Sequence, residues 1–286
     1  MNIAAREAVA SICPMRSIFF LFAARYTMEN MKVMTASPIP SISGSIKRSG
    51  LAKGLRIFLI TYAAFIFPGV HACWFLIMAK ASLNLKQQNS IKLMNYLKIR
   101  PFKQFTMLDC HDGIPVKPDL DGLVTTEEAK KVVDTCIKRG ANLSLIFSQR
   151  HKSSDGFDVH QIRCSYYSAL DCDDDAYLAA RAIQFFVPGI PQVYYVGLLA
   201  GKNDEEAVTR TGEGREINRH NYSLNEIDQA IKKEVVQRLL KLIRFRNEYP
   251  AFNGNFTVLE SKYDEVRLMW NKDDKTCILL VDLNTN

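Results

Sequence analysis

The residues best suited to chemistry gather at one point in the chain. Phe105–Gly113 reads Phe-Thr-Met-Leu-Asp-Cys-His-Asp-Gly. An apolar, β-prone run (Phe105, Thr106, Met107, Leu108) stops at Asp109, His111 and Asp112, and Gly113 closes the turn. Two carboxylates flanking an imidazole are groups that carry charge or move protons near neutral pH. Strands ending this way commonly present a site at their C-terminal tip, as in (β/α)8 barrels. A strand that simply runs into a polar loop has the same pattern.

The elements that must hold this tip follow from the flanking sequence. An apolar pattern over 90–96 predicts a short helix feeding a strand over 104–109. The polar stretch 114–124, with Pro115, Pro118 and Gly122, reads as a long loop. Thr125-Thr126-Glu127-Glu128 is a capping-box pattern, opening a helix through about Lys138 that Gly140 ends. Asp171, Asp173, Asp174 and Asp175 surround the start of a helix over 176–187. Acids there cap the helix and oppose its dipole, and the ligand spacing of a calcium loop is absent. Pro188-Gly189 ends that helix, and 190–196 reads as a strand closed by Gly197. Strand, helix and strand in this order make a βα repeat with a parallel sheet. The loop from Leu198 to about Leu224 carries Lys202, Arg210, Arg215, Arg219 and His220, and a long loop leaving a strand tip tends to be functional. One amphipathic helix is expected over 225–246, with Val236, Leu239, Leu240 and Ile243 on its apolar face. Three strand candidates follow, over 256–260, 265–271 and 276–283, as in an antiparallel β-domain.

Hydrophobic residues make up 48% of the chain and charged residues 23%, which describes a globular protein and not a disordered one. The net charge of +7 is unevenly placed. Residues 1–100 hold 13 Lys and Arg against Glu7 and Glu29 alone, while residues 101–286 hold 24 basic and 28 acidic residues. The basic third shows no interleaving of cations and aromatics of the kind that binds nucleic acid, so a nucleic acid partner is not expected. The seven cysteines include no Cys-x-x-Cys pair. Neither a disulfide framework nor a zinc site is indicated, and reduced thiols fit a cytoplasmic setting.

The composition changes sharply near residue 100. Segment 1–90 reads as irregular, with at most one hydrophobic helix, and its lack of any Asp suggests a frame-shifted or mispredicted start. Ile57–Met78 is 22 residues without charge, preceded by Lys53 and Arg56 and followed by Lys80. By length it is a transmembrane candidate, weakened by Pro68 and His71. A membrane-tethered, non-catalytic sugar-binding remnant is therefore the alternative reading; without a real anchor there, no membrane partner is expected.

Three motifs in order, Phe105–Gly113, Gly189–Gly197 (Gly-Ile-Pro-Gln-Val-Tyr-Tyr-Val-Gly) and Gly212–Tyr222 (Gly-Glu-Gly-Arg-Glu-Ile-Asn-Arg-His-Asn-Tyr), resemble the sucrose phosphorylases and sucrose 6′-phosphate phosphorylases of the α-amylase family, glycoside hydrolase family thirteen. The resemblance runs from about Ile91 to Asn286. It implies an α/β fold: the C-terminal part of a (β/α)8 (TIM) barrel over 91–252, then the start of an antiparallel β-domain over 253–286. It also implies a glycosyltransferase of carbohydrate metabolism that runs reversible phosphorolysis with retention. Sucrose or its 6′-phosphate plus phosphate would give α-glucose 1-phosphate and fructose or fructose 6-phosphate. A sugar and inorganic phosphate are the implied partners, phosphate being a co-substrate; no cofactor or metal is implied, and the chain could form a homodimer.

Residue by residue, the resemblance makes Asp112 the carboxylate that stabilises the transition state and His111 a glucose-binding residue. Arg215 matches an arginine that holds phosphate or the fructosyl unit. Asp158, Val159, His160 and Gln161 match a mobile acceptor-site loop. Sucrose enzymes carry Tyr where His160 stands, and an imidazole near Arg215 suits a phosphorylated acceptor. The nucleophilic Asp and the acid/base Glu of the family lie upstream. Before Asp109 this chain has no Asp and only Glu7 and Glu29, so the 286 residues are expected to be an inactive and poorly stable fragment.

Overall fold

The computed structural model describes residues 86–283, apart from 101, 103–104, 117–123, 148, 150–151, 153 and 263–264. Every described residue lies in the unit Leu55–Asn286. The apolar stretch Ile57–Met78 lies outside the described residues. Among those described, no helix is long and apolar enough to cross a membrane.

The described part is mixed α and β. Helix α1 (Lys86–Ile99) leads to strand β1 (Phe105–Thr106) and then β2 (Ile114–Pro115). Helix α2 (Thr126–Lys138), β3 (Asn142–Leu145), β4 (Val159–Arg163), the one-turn α3 (Tyr166–Ala169) and helix α4 (Asp174–Phe186) follow. Next come β5 (Ile190–Pro191), the one-turn α5 (Tyr195–Leu198), α6 (Glu205–Thr211) and a 3₁₀ turn at Gly214–Asn218. Helices α7 (Leu224–Ala230) and α8 (Glu234–Glu248) lead through a 3₁₀ turn at Pro250–Asn253 to β6 (Asn255–Val258), β7 (Glu265–Lys272) and β8 (Lys275–Asp282).

β1 and β5 pair in parallel, Phe105 opposite Ile190 and Thr106 opposite Pro191. This is the parallel βα arrangement the sequence predicts, and no closed barrel is present among the described residues. β4 lies between β2 and β3 in an antiparallel sheet, and β6, β7 and β8 form an antiparallel meander. The capping box is as expected: the Thr125 hydroxyl accepts from Glu128 N–H at 3.2 Å, and the Glu128 carboxylate accepts from Thr125 N–H at 2.7 Å. Asp173 caps α4 by accepting from Ala176 N–H at 2.9 Å, the role read for that acidic run.

Four expectations need correction. The presumed loop at 114 contains β2, because Ile114 is fully buried against Ile162 of β4. The stretch matched to a mobile acceptor loop holds β4, hydrogen-bonded on both sides, with Val159 and Ile162 buried. The strand over 190–196 stops at Pro191. Tyr194 and Tyr195 then turn away to donate to the Asn218 and His220 carbonyls, each at 2.9 Å, and Gly197 falls inside α5. The single helix over 225–246 is two helices, broken between Ala230 and Glu234.

The core joins these parts through a buried polar network. Arg181 and Asp109 are both fully buried and bonded at 3.1 Å, which ties α4 to the segment leaving β1. Gln184, one turn along, accepts from Arg181 at 2.9 Å and donates to the Thr106 and Gln192 carbonyls, each at 2.8 Å. Trp270 of β7 donates to the Phe186 carbonyl at 2.6 Å, so the meander docks on the end of the same helix. Removing one partner of a buried ion pair strands the other charge. Arg181→Met should therefore lower unfolding free energy by about 3–5 kcal/mol, and adding Asp109→Leu should recover part of the loss. Urea unfolding at an unchanged slope measures both; a cost under about 1 kcal/mol for Arg181→Met would rule out the pair as an anchor.

Candidate active site

The strand expected over 104–109 ends at Thr106, and Asp109, His111 and Asp112 follow it on irregular backbone, facing different ways. Asp109 turns inward. Burial pushes its carboxyl up, opposed by the Arg181 charge and hydrogen bond. The Tyr177 hydroxyl accepts from Arg181 Nε at 3.0 Å and Nη2 at 2.8 Å and donates to the Gly197 carbonyl. Burial, the largest effect, holds the Tyr177 phenol up at about 12, so it stays neutral. A Cβ at Gly197 would lie 2.2 Å from Arg181 Nη2, so this position has room for glycine alone.

His111 and Asp112 face outward on a tight turn closed by Gly113 N–H donating to the Cys110 carbonyl at 2.9 Å. Gly113 sits at φ +96°, and a Cβ there would lie 2.2 Å from the Ile162 carbonyl oxygen. Only glycine allows the turn to press on β4 this closely. His111 Nε2 lies 3.1 Å from Asp112 Oδ2, with the His111 side chain 63% exposed and that of Asp112 33% exposed. The carboxylate is open to a ligand, yet it is not free to swing.

The arginine-bearing loop supplies the restraint. Arg219 Nη2 donates to Asp112 Oδ1 at 3.0 Å, and its Nε donates to the His111 carbonyl at 3.1 Å. Asn218 Nδ2 donates to the Cys110 carbonyl at 2.7 Å. The loop is not featureless, since it contains α6 and the 3₁₀ turn. Arg215, the residue matched to phosphate binding, lies exposed on that turn. Arg219 is the arginine in contact with the His111–Asp112 pair. Both occur in one motif, and residue type alone did not separate them. Arg181 did carry a signal: Tyr177, Arg181 and Gln184 recur at helical spacing within an apolar face, where a polar residue needs a buried partner.

The acceptor-side residues lie next to the turn. Ile114, immediately after Gly113, pairs with Ile162, and Pro115 pairs with Gln161. Val116 N–H donates to the His160 carbonyl at 2.8 Å, and Ile146 N–H to the Asp158 carbonyl at 2.8 Å. Asp158, His160 and Gln161 are half-buried and Val159 is buried. β4, which holds Val159, His160 and Gln161, thus pairs with the strand that begins directly after Gly113.

Cys110, His111 and Asp112 bring a sulfur, an imidazole nitrogen and a carboxylate oxygen within 4.8 Å of one another. This set is better matched to its present partners than to a metal ion. Both Asp112 oxygens are engaged, by Arg219 and His111, and burial, the largest effect, pushes the Cys110 thiol up and away from the thiolate a metal needs.

No protein-family model matches the chain. The sucrose 6(F)-phosphate phosphorylase of Thermoanaerobacterium thermosaccharolyticum is 72% identical over 193 residues, which is 68% of this chain and 40% of that protein. The glucosylglycerol phosphorylase of Marinobacter adhaerens is 48% identical over 201 residues, covering 70% of this chain and 42% of the relative. A crystal structure of sucrose 6F-phosphate phosphorylase from Thermoanaerobacter thermosaccharolyticum matches with a TM-score of 0.71 and 61% identity, over 80% of this chain and 46% of that one. The chain therefore spans less than half the length of the relatives it matches.

The restraint on the turn has a measurable consequence. A hydrogen bond to a charged group is worth about 1.5–3 kcal/mol, so Arg219→Ala should speed amide exchange across 110–113 by about tenfold or more. Arg215→Ala should leave it unchanged. Exchange mass spectrometry on the peptide covering 109–114 reads both, and equal effects of the two variants would contradict the assignment of the contact to Arg219.

Proposed function

Because the C-terminal portion of the chain is a homologue of sucrose 6(F)-phosphate phosphorylase, we propose that it forms the glucosyl- and acceptor-binding half of a retaining sucrose-type phosphorylase site. In this reading β1 and β5 are the seventh and eighth strands of a (β/α)8 barrel spanning 91–252, and residues 253–286 begin the β-domain. The observation that carries it is the Asp112 carboxylate, one-third exposed on the turn between β1 and β2, fixed by Arg219 and set beside His111. A fixed anion there stabilises the positive charge that develops on the glucosyl ring as its bond to the leaving sugar breaks. Arg219 prevents Asp112 from relaxing away from that charge. His111 is placed to hold a ring hydroxyl.

Arg215, exposed on the turn that leads into Arg219, is placed to meet a phosphate, which its planar fork binds through paired oxygens. Asp158, Val159, His160 and Gln161 line the acceptor side, and His160 favours fructose 6-phosphate over fructose. The upstream carboxylates that serve as nucleophile and proton donor in the family have no counterpart before Asp109. These 286 residues by themselves should release no glucose 1-phosphate from either substrate, and phosphate-dependent turnover above background would contradict that.

Function is tested by joining residues 91–286 to the preceding portion of the 72%-identical relative. The chimera should release glucose 1-phosphate from sucrose 6′-phosphate in preference to sucrose, and His160→Tyr should narrow or reverse that preference. Asp112→Asn in the chimera should cost about 10²–10³-fold in kcat, the scale of losing one preorganised stabilising group. Preference for plain sucrose would end the subtype assignment, and full activity of Asp112→Asn would end the role given to Asp112.

A further inference from the structure

His220 is the residue after Arg219, and its imidazole is held at both nitrogens. Nδ1 lies 2.5 Å from Asp204 Oδ2, and Nε2 lies 3.0 Å from Glu226 Oε1. Each carboxylate divides its two oxygens between the ring and a helix terminus. Asp204 caps α6, its Oδ1 accepting from Ala207 N–H at 2.8 Å. Glu226 completes the capping box of α7, its Oε2 accepting from Ser223 N–H at 2.7 Å. A neutral imidazole has one N–H and would turn a lone pair toward one of these carboxylates. Only the imidazolium donates to both.

We propose that protonated His220 is a positioning residue for the His111–Asp112 turn, acting by clasping α6 to α7 so that Asn218 and Arg219 are seated on that turn. The segment is fixed on its other sides by neutral bonds: Tyr194 to the Asn218 carbonyl, Tyr195 to the His220 carbonyl, and Asp204 N–H to the Ile217 carbonyl at 2.9 Å. The clasp is ionic, as is the longer Arg219–Glu216 pair at 3.7 Å, and it lies next in sequence to the arginine that reaches Asp112. The importance of the turn rests on the glucosyl-binding reading; the clasp itself does not.

The ring meets Asp204 at the start of α6, Glu226 of α7 and the Tyr222 phenol ring; Arg210 of α6 acts on Asp204, and the Tyr195 hydroxyl binds the His220 carbonyl. Tyr222 packs edge-on at 4.5 Å and is held up at about 12, mainly by burial, so it stays neutral. Burial pulls His220 down, but its bonds to Asp204 and Glu226 more than offset this and raise it overall. Burial likewise pushes Asp204 up and is outweighed by the His220 bond, while the bonds from Ser223 and then His220 hold Glu226 down at about 2. The sign follows from these directions. A raised histidine contributes fully below its unfolded value of about 6.5 and loses that contribution as pH climbs through the raised value. The carboxylates, being depressed, contribute at neutral pH and fail only in acid.

The test is amide exchange of the 110–113 segment in the full chain from about pH 5 to about pH 9, corrected for the intrinsic pH dependence of exchange, with the His220 ring nitrogens followed by ¹⁵N NMR. Protection should hold at the acid end and fall about tenfold as the ring loses its proton, the scale of one charge-assisted hydrogen bond. His220→Gln should remove the step and sit at the low level throughout. A flat wild-type profile across the ring titration, or a step that survives His220→Gln, would overturn the proposal. Should His220→Gln unfold, the wild-type spectra decide, since a neutral ring at about pH 6 is incompatible with the clasp. No sugar enters this measurement, so its failure would leave the glucosyl-binding reading to the chimera.

Discussion

The bond between Arg181 and Asp109 is the constraint on which the described fold turns. Both side chains are fully buried, so neither can exchange its partner for water. Losing the contact would leave a bare charge in the core, a cost that far exceeds one surface hydrogen bond. The bond fixes the strand's continuation two residues before His111, and through Gln184 it reaches the backbones on either side of the parallel pair. Helix α4 therefore sets the position from which the His111–Asp112 turn departs. The meander depends on the same helix through Trp270, so one helix orients both the turn and the meander.

From that base the turn is built by close approach and not by hydrophobic packing. Gly113 presses on the Ile162 carbonyl, which places β4 directly beside the turn that carries His111 and Asp112. Arg219 and Asn218 then close the turn from the other side. The result is an acid that is accessible but not mobile. In the proposed reading such a group would serve catalysis because its orientation is set before charge develops, so little reorganisation is needed.

Much of this was legible in the sequence, for reasons that differ by element. The capping boxes and the Asp173 cap depend on neighbours three residues away, so local sequence carries them. The parallel pairing followed from strand and helix alternating. The strand identity of 159–163 was hidden, because Val159 and Ile162 are buried while His160 and Gln161 are not, which breaks the period-two pattern. The run 190–196 looked like a strand because its composition is β-prone, but Tyr194 and Tyr195 find partners on the loop instead. At the site, His111 and Asp112 could be read from their motif. Arg219 could not be told from Arg215, since the difference lies in contacts across more than a hundred residues of chain.

The central claim is that the His111–Asp112 turn, as Arg219 holds it, grips a glucosyl unit. A crystal structure of the 91–286 chimera soaked in glucose tests this most directly. The account predicts pyranose hydroxyls within hydrogen-bond distance of His111 and of the Asp112 carboxylate, with Arg219 still bonded to Asp112. Glucose bound elsewhere while that turn stands empty, or a sugar that must displace Arg219 to reach Asp112, would contradict it.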